Sequence, residues 1–301
     1  MIFKNKEKNK ITNIIEYIAI SILIAVSLFE LINKNIQLFY SFIILSISIL
    51  IINLFSNSFN NYEKIWFISI MSLATLFSYL FPEEDINGNI IMLLYLLDTF
   101  LNILCELLIS KQSRFNFLVS IGVEITEILI CIVLMYRFAT LAVTLFFWLP
   151  IDIISFINWS NHKDEEDDDL TVVRKLSKKQ EVLVIIGIAA WTIIVGYLIS
   201  GININSNFIT NKDLEVIITY IDACVSAVGV ANGIFILFRL QEQWIAWYIC
   251  SILEAIINVL SGQYILLVLK LGYLTNTTYG YIKWNRYIKK HNKNDYKKID
   301  L

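Results

Sequence analysis

The chain has 301 residues, of which 57% are hydrophobic and only 17% charged, and its mean hydropathy is +0.66. Soluble domains run nearer a quarter charged, so this composition excludes an ordinary soluble fold. The formal charge of −2 says little about partners, because the distribution of charge along the chain matters more than its sum, and no nucleic acid is expected.

In chain order, the apolar residues fall into blocks of about twenty, the length that crosses a bilayer's hydrocarbon core. The start, "MIFKNKEKNK", places four lysines before the first block, 12–33. That block is long and is followed by no small-residue cleavage site, so it reads as a retained span and not a signal peptide. Blocks 38–56 and 65–81 follow, after "NKNIQ" and "NSFNNYEK". Beyond "PEEDINGN" come 88–110, 115–135 and 139–159, with breaks as short as "KQSR" and "YR" that make antiparallel hairpins. The long connection "NHKDEEDDDLTVVRKLSKKQ" leads to 181–200. Its acidic run lacks the spacing of a calcium loop and reads as a solvated linker, while its basic half abuts a span. Then "GININSNFITNKDLE" precedes 214–238, and the short breaks "RLQEQ" and "SGQ" lead into 243–260 and 264–284. Ten spans and an all-α multi-pass membrane protein are expected.

The basic residues test this parse, since they accumulate on the cytoplasmic side. Of 24 lysines and arginines, only Lys34, Arg137, Lys212 and Lys270 fall off the side that carries the N-terminus. Both termini are therefore expected in the cytoplasm. The two histidines, His162 and His291, lie in polar connections, and Cys105, Cys131, Cys224 and Cys250 stand singly inside apolar blocks. With no metal-ligand spacing, no glycine-rich phosphate loop and no G-x-S-x-G, no metal, cofactor or catalytic group is expected.

Self-comparison at an offset near 125 aligns "LPIDIISFINW", 149–159, with "LTNTTYGYIKW", 274–284. In both, Trp ends the span, with a polar residue seven places earlier (Asp152, Thr277) and an aromatic three places earlier (Phe156, Tyr281). With slight drift, Glu127 falls opposite Glu254 and Asp98 opposite Asp222. The expected plan is 3+1+3, two three-helix bundles in parallel joined by a single span, with three extra spans in front. Its segments are 1–85 (extra spans), 86–160 (first bundle), 161–212 (acidic/basic loop and linker helix), 213–285 (second bundle) and 286–301 (basic tail). Two similar halves around a central site are a transporter's architecture.

Asp98, Glu124, Glu127, Asp152, Asp222, Glu254 and Lys270 all lie inside spans. Each costs on the order of 3 kcal/mol if ionised there, so none is expected to face lipid. Glu254 and Lys270 both sit about 9 Å below the same surface and face across a hairpin, either as a structural ion pair or as a gate. Asp98 and Asp222 are each roughly 14 Å into their helices, placing them as candidate contacts to a solute. The excess of acids favours a cationic one.

The stretch "EQWIAW" sets Trp244 and Trp247 on one helical face, continued by Ser251 and Glu254. Two readings stand: an aromatic belt at the membrane surface, or the wall of a pocket for a flat polar or cationic ring. Trp159 and Trp284, at span ends, read as belt residues.

The segments "EQWIAWYICS" and "GYLTNTTYGYIKW" resemble the PnuC family of bacterial vitamin transporters, whose last two core helices carry W-x-x-W and N-x-x-Y-G-[YF]-x-x-W. The matching positions are Trp244, Trp247, Asn276, Tyr279, Gly280, Tyr281 and Trp284. "FFWLPIDIISFINW" with the charged loop and "VRKLSKKQ" also looks like the family's third core helix and linker, and the likeness covers about 88–285. This chain departs from the pattern at Ser251, where the family usually has Asn, at Lys270, usually aromatic or apolar, and at Glu254.

The resemblance implies a fold similar to the SWEET sugar transporters. It implies facilitated uptake of nicotinamide riboside, an NAD precursor, through a bacterial plasma membrane, with a cytoplasmic kinase trapping the solute by phosphorylation. Homotrimers are implied as well. Trp244 and Trp247 would stack on the ring, Asn276 would bond its carboxamide or sugar, and Ser251 and Tyr279 would complete the pocket. Thiamine, another flat cation, or another vitamin or nucleoside of the family's range is an open alternative. From other classes, an intramembrane enzyme would need a nucleophile–base pair, whereas the acids here are scattered. A non-transporting membrane subunit would show no saturable flux.

Overall fold

The computed structural model describes residues 2–55, 58–84, 87–134, 137–161, 174–201 and 212–291. The acidic run and the end of the basic tail lie outside them. The described residues form ten helices and no strand: α1 (Ile2–Ile32), α2 (Ile36–Leu54), α3 (Asn61–Leu80), α4 (Gly88–Ser110), α5 (Asn116–Leu134), α6 (Phe138–Asn161), α7 (Lys178–Ser200), α8 (Lys212–Leu237), α9 (Gln243–Leu260) and α10 (Tyr264–His291). Each of the ten expected spans lies on one helix. This is the outcome a bilayer imposes, because only a helix bonds all its own backbone groups away from water. Seven helices, α2 and α4 through α9, are long and apolar enough to cross a membrane. The polar starts or interiors of α3 ("NYEK") and α10 ("TNTT") dilute theirs.

The chain forms two compact units, Met1–Phe100 and Leu101–Leu301, dividing within α4. In the first, α2 packs on α1 and α3. The Ser41 and Ser78 hydroxyls meet at 2.5 Å, and the Gln37 amide brackets the Glu83 backbone with bonds of 2.8 and 2.9 Å. Polar side chains paired this way let helices associate where lipid supplies no hydrophobic drive.

In the second unit, α9 packs between α8 and α10, and α8 also meets α6 and α7. The tight hairpins are closed by left-handed residues: Gln112 (φ 58°) and Arg239 (φ 59°), 127 positions apart, and Arg137 (φ 58°) and Gly262 (φ 73°), 125 apart. A left-handed residue ends a helix by turning its last carbonyls toward the next amides. The offset matches the one in the sequence. Of the α7 residues only Gly196 is buried, against Tyr220. A helix apolar all round and exposed all round is at home in lipid.

One feature departs from the regular span expected at 139–159. Thr144–Trp148 is a π-helical turn, with the Leu149 N–H reaching back to the Thr144 carbonyl. Pro150 has no N–H to give, and its ring presses on the preceding turn, so the ladder is already broken there and a wider turn absorbs the misfit. The turn pushes Phe147 and Trp148 onto α8 at Gly233, where an added Cβ would come within 2.9 Å of Phe147 Cζ.

Candidate functional site

Polar and aromatic side chains of the second unit sort into three levels along its helices. At the C-terminal end of α9 lies a charged level. Arg137 Nη2 is 2.7 Å from Glu254 Oε1, and its Nε is 3.5 Å from Asp222 Oδ1. Lys270 Nζ stands 2.6 Å from the other Glu254 oxygen. Asp222 further accepts from the amides of Ala139 (3.0 Å) and Thr140 (3.4 Å) and from the Thr140 hydroxyl. It thus caps the N-terminus of α6, where amide dipoles favour an anion. By sequence Arg137 reads as a cation in an outer connection. It is in fact only 8% exposed, because its left-handed backbone turns the guanidinium inward to two carboxylates. Asp222, expected at the solute, has both oxygens taken by these bonds. Nearby, the Thr144 hydroxyl donates to Glu127 at 3.0 Å.

At the opposite end, Trp159, Trp244 and Trp284 are all at most 1% exposed. Phe117 meets Trp159 edge-on (5.2 Å, 86°), Trp244 meets Trp284 the same way (5.4 Å, 88°), and Trp159 and Trp284 join the two pairs at 6.1 Å. Trp159 and Trp284 are therefore core residues, correcting the belt reading. Ending a span at membrane depth does not decide which way an indole points, and here each finds aromatic partners inside the bundle. Gly280 lies flat against Trp244, with no room for a Cβ. Trp159 Nε1 donates to the Ile236 carbonyl at 2.8 Å, whereas Trp244 Nε1 and Trp284 Nε1 are buried with no partner among the described residues.

Beyond this aromatic level, the linker after the acidic run docks on the α8–α9 turn. Arg174 and Leu240 form a short parallel bridge, Arg239 donates to Asn158 (2.6 Å), and Glu242 accepts from the Leu176 amide (3.2 Å). Burial pushes the Glu242 carboxyl above its usual range. Burial, with Arg174 beside it, lowers Arg239 to about 10.

Between the two ends lies a polar level. Asn276 Nδ2 donates to Glu106 twice, to the carboxylate at 2.9 Å and to the backbone carbonyl at 3.0 Å. One turn earlier on each helix, the Tyr273 hydroxyl donates to Asn102. Tyr273 also packs against Trp247 (5.2 Å) and lies under the Lys270 ammonium (4.8 Å). With its amide turned to satisfy both neighbours, Asn232 accepts from Trp247 Nε1 (3.3 Å) and donates to the Gln243 carbonyl (3.1 Å). Ser251 bonds back to the Trp247 carbonyl at 2.7 Å. Tyr279 is half-buried, with Lys283 5.5 Å over its ring. Asp98, a candidate solute contact by sequence, is buried on α4 within the first unit and is no part of this level.

The structure thus brings Trp247, Ser251 and Asn276 to one level, assigns Trp244 to the aromatic end, and places Asp222, Glu254 and Lys270 in the charged level. Sequence reasoning missed Asn102, Glu106, Asn232 and Arg137. The period-four stripe of Asp98, Asn102 and Glu106 was a signal that could have found two of them.

A bundle of membrane-length helices with a polar, aromatic level between two packed ends defines a multi-pass membrane transporter. Residues 92–286 match the family described as "Nicotinamide mononucleotide transporter", and the chain belongs to that family. The nicotinamide riboside transporter PnuC of Neisseria mucosa is 21% identical over 199 residues, 63% of this chain and 70% of that protein. The protein of the same name from Haemophilus influenzae is 20% identical over 239 residues, 79% of this chain and 96% of that one. A crystal structure of the vitamin B3 transporter PnuC superposes with a TM-score of 0.60 at 18% identity, covering 78% of this chain and 94% of the other. The fold is shared. The chain is a transporter of the PnuC family, not an enzyme.

Proposed function

We propose that this chain mediates facilitated uptake of nicotinamide riboside through a bacterial plasma membrane, for NAD synthesis, with phosphorylation in the cytoplasm holding the solute inside. The observation that carries this reading is the polar level, where Trp247, Tyr273, Asn276 and Glu106 combine aromatic faces, an amide and a carboxylate. Those groups suit a flat cationic ring bearing a carboxamide and a sugar. Both curated relatives are named for that solute. The two edge-on aromatic pairs, alike in distance and angle, support a parallel 3+1+3 plan in which the bundles can rock about this level. The lysine and arginine asymmetry supports cytoplasmic termini, and the three leading spans are read as a packing or oligomer surface, in keeping with a trimer.

A calorimetric panel on purified protein tests the reading, with nicotinamide riboside, thiamine, riboflavin and a deoxynucleoside. Nicotinamide riboside is expected to bind tightest, and Trp247→Ala to weaken it by about two- to thirtyfold by removing a stacking face, about 0.5–2 kcal/mol. Preference for thiamine would reassign the solute. Silence toward all four would end the proposal.

A further inference from the structure

We infer that Glu106 is the side chain that reads the solute's positive charge, and that it makes the transporter selective for an N-glycosylated pyridinium cation over the neutral, reduced ring of the same shape. This rests on the function proposed above and identifies the group in that site responsible for its charge preference.

Glu254, Asp222 and Glu106, three of the buried carboxylates of the second unit, are compensated differently. Glu254 meets two cations, Arg137 and Lys270. Asp222 has Arg137 and three hydrogen-bond donors. Both are complete. Among the described residues, buried Glu106 has a single side-chain hydrogen-bond partner, the neutral Asn276 amide. Lys270 acts on it only at a distance, since its ammonium is held at 2.6 Å on Glu254. A buried carboxylate bonded only to an amide is under-compensated, and a cation arriving at its level gains what the protein itself does not supply.

A second observation locates that arrival. The amide nitrogen of Asn276 faces Glu106, because the Glu106 backbone carbonyl can only accept, and this leaves Asn276 Oδ1 buried with no donor among the described residues. On the next residue, Thr277 Oγ1 is likewise buried without a partner among the described residues. Both side chains are fully buried. An anionic oxygen and two acceptor-capable atoms without donors, one turn from the Tyr273 ring that packs on Trp247, match a ligand that is cationic, flat and rich in N–H and O–H donors. A neutral dihydropyridine offers the same outline and donors but leaves Glu106 as it was.

The test is calorimetric titration of the full-length protein with nicotinamide riboside and with its reduced dihydro form. Wild type is expected to favour the cation by about tenfold or more. Glu106→Gln, which keeps size and can still accept from Asn276, should bring the two affinities within about threefold of each other by weakening only the cation. Glu106→Asp, which keeps the charge, should retain the preference and covers the case in which the glutamine variant does not fold. An unchanged preference in Glu106→Gln, equal weakening of both ligands, or no preference in Glu106→Asp would overturn the inference. A wild type that binds the cation no better than the neutral form overturns it while leaving the transport reading standing. Binding of neither form sinks the transport reading and this inference with it.

Discussion

The two ends of the second unit are both packed shut, by opposite physics. One is held by Arg137, Asp222, Glu254 and Lys270, where each group is tolerable only because the others are present. The other is held by Phe117, Trp159, Trp244 and Trp284, whose rings contribute through area and edge-on contact, against the cost of the unbonded Trp244 and Trp284 N–H groups. The charged end should therefore be brittle, with single changes worse than paired ones. The aromatic end should fail by increments.

The sharpest way to break this contrast is at Glu254, the anion shared by two cations. Glu254→Leu strands Lys270 and half of Arg137, and should cost about 3–5 kcal/mol of stability, read as a large fall in thermal unfolding temperature in detergent. Adding Lys270→Met to that variant should recover a good part of the loss. If the double variant is less stable than the single, the level is not governed by charge pairing.

At the aromatic end, the two near-equivalent indoles differ in one bond. Trp159 donates to the Ile236 carbonyl, and Trp284 Nε1 has no partner among the described residues. Trp159→Phe should thus cost about 1 kcal/mol more than Trp284→Phe in the same unfolding measurement. Equal losses would show that the hydrogen bond contributes nothing beyond the packing.

The smallest expected effect lies just past this end, at Glu242. Burial raises its carboxyl pKa in the folded protein, so the folded state holds the proton more tightly than the unfolded one. Stability is then greatest below the ordinary carboxylate pKa and declines as pH rises through it toward the raised value. Glu242→Gln should flatten that decline by less than about 1 kcal/mol, measurable as a loss of pH dependence between acidic and neutral buffer.

How much of this was legible beforehand follows from which forces are local. Helix α9 was readable to its boundaries, because "QWIAWYICSILEAIINVL" between "RLQE" and "SGQ" is a span by composition alone. The motif positions Trp247 and Asn276 were equally visible, and the nearness of Glu254 to Lys270 followed from counting along a tight hairpin. Glu106 was not, since a glutamate one turn from a helix end reads as a boundary residue until Asn276 is seen opposite it. Nor was the π turn at Thr144–Trp148, whose cause, Pro150, is in the sequence but whose direction depends on the bare glycine of α8.

By itself the sequence determined that the chain is a set of membrane helices, where they begin and end, and that it belongs with transporters of this family. Bilayer crossing is decided segment by segment, by apolar length and by the need of every backbone group to be bonded within its own helix. Only the tertiary structure decided which way each helix faces about its axis. That rotation turned Arg137 inward, hid Trp159 and Trp284, and put Glu106 against Asn276, because it is set by partners far along the chain and not by the hydropathy of the helix itself.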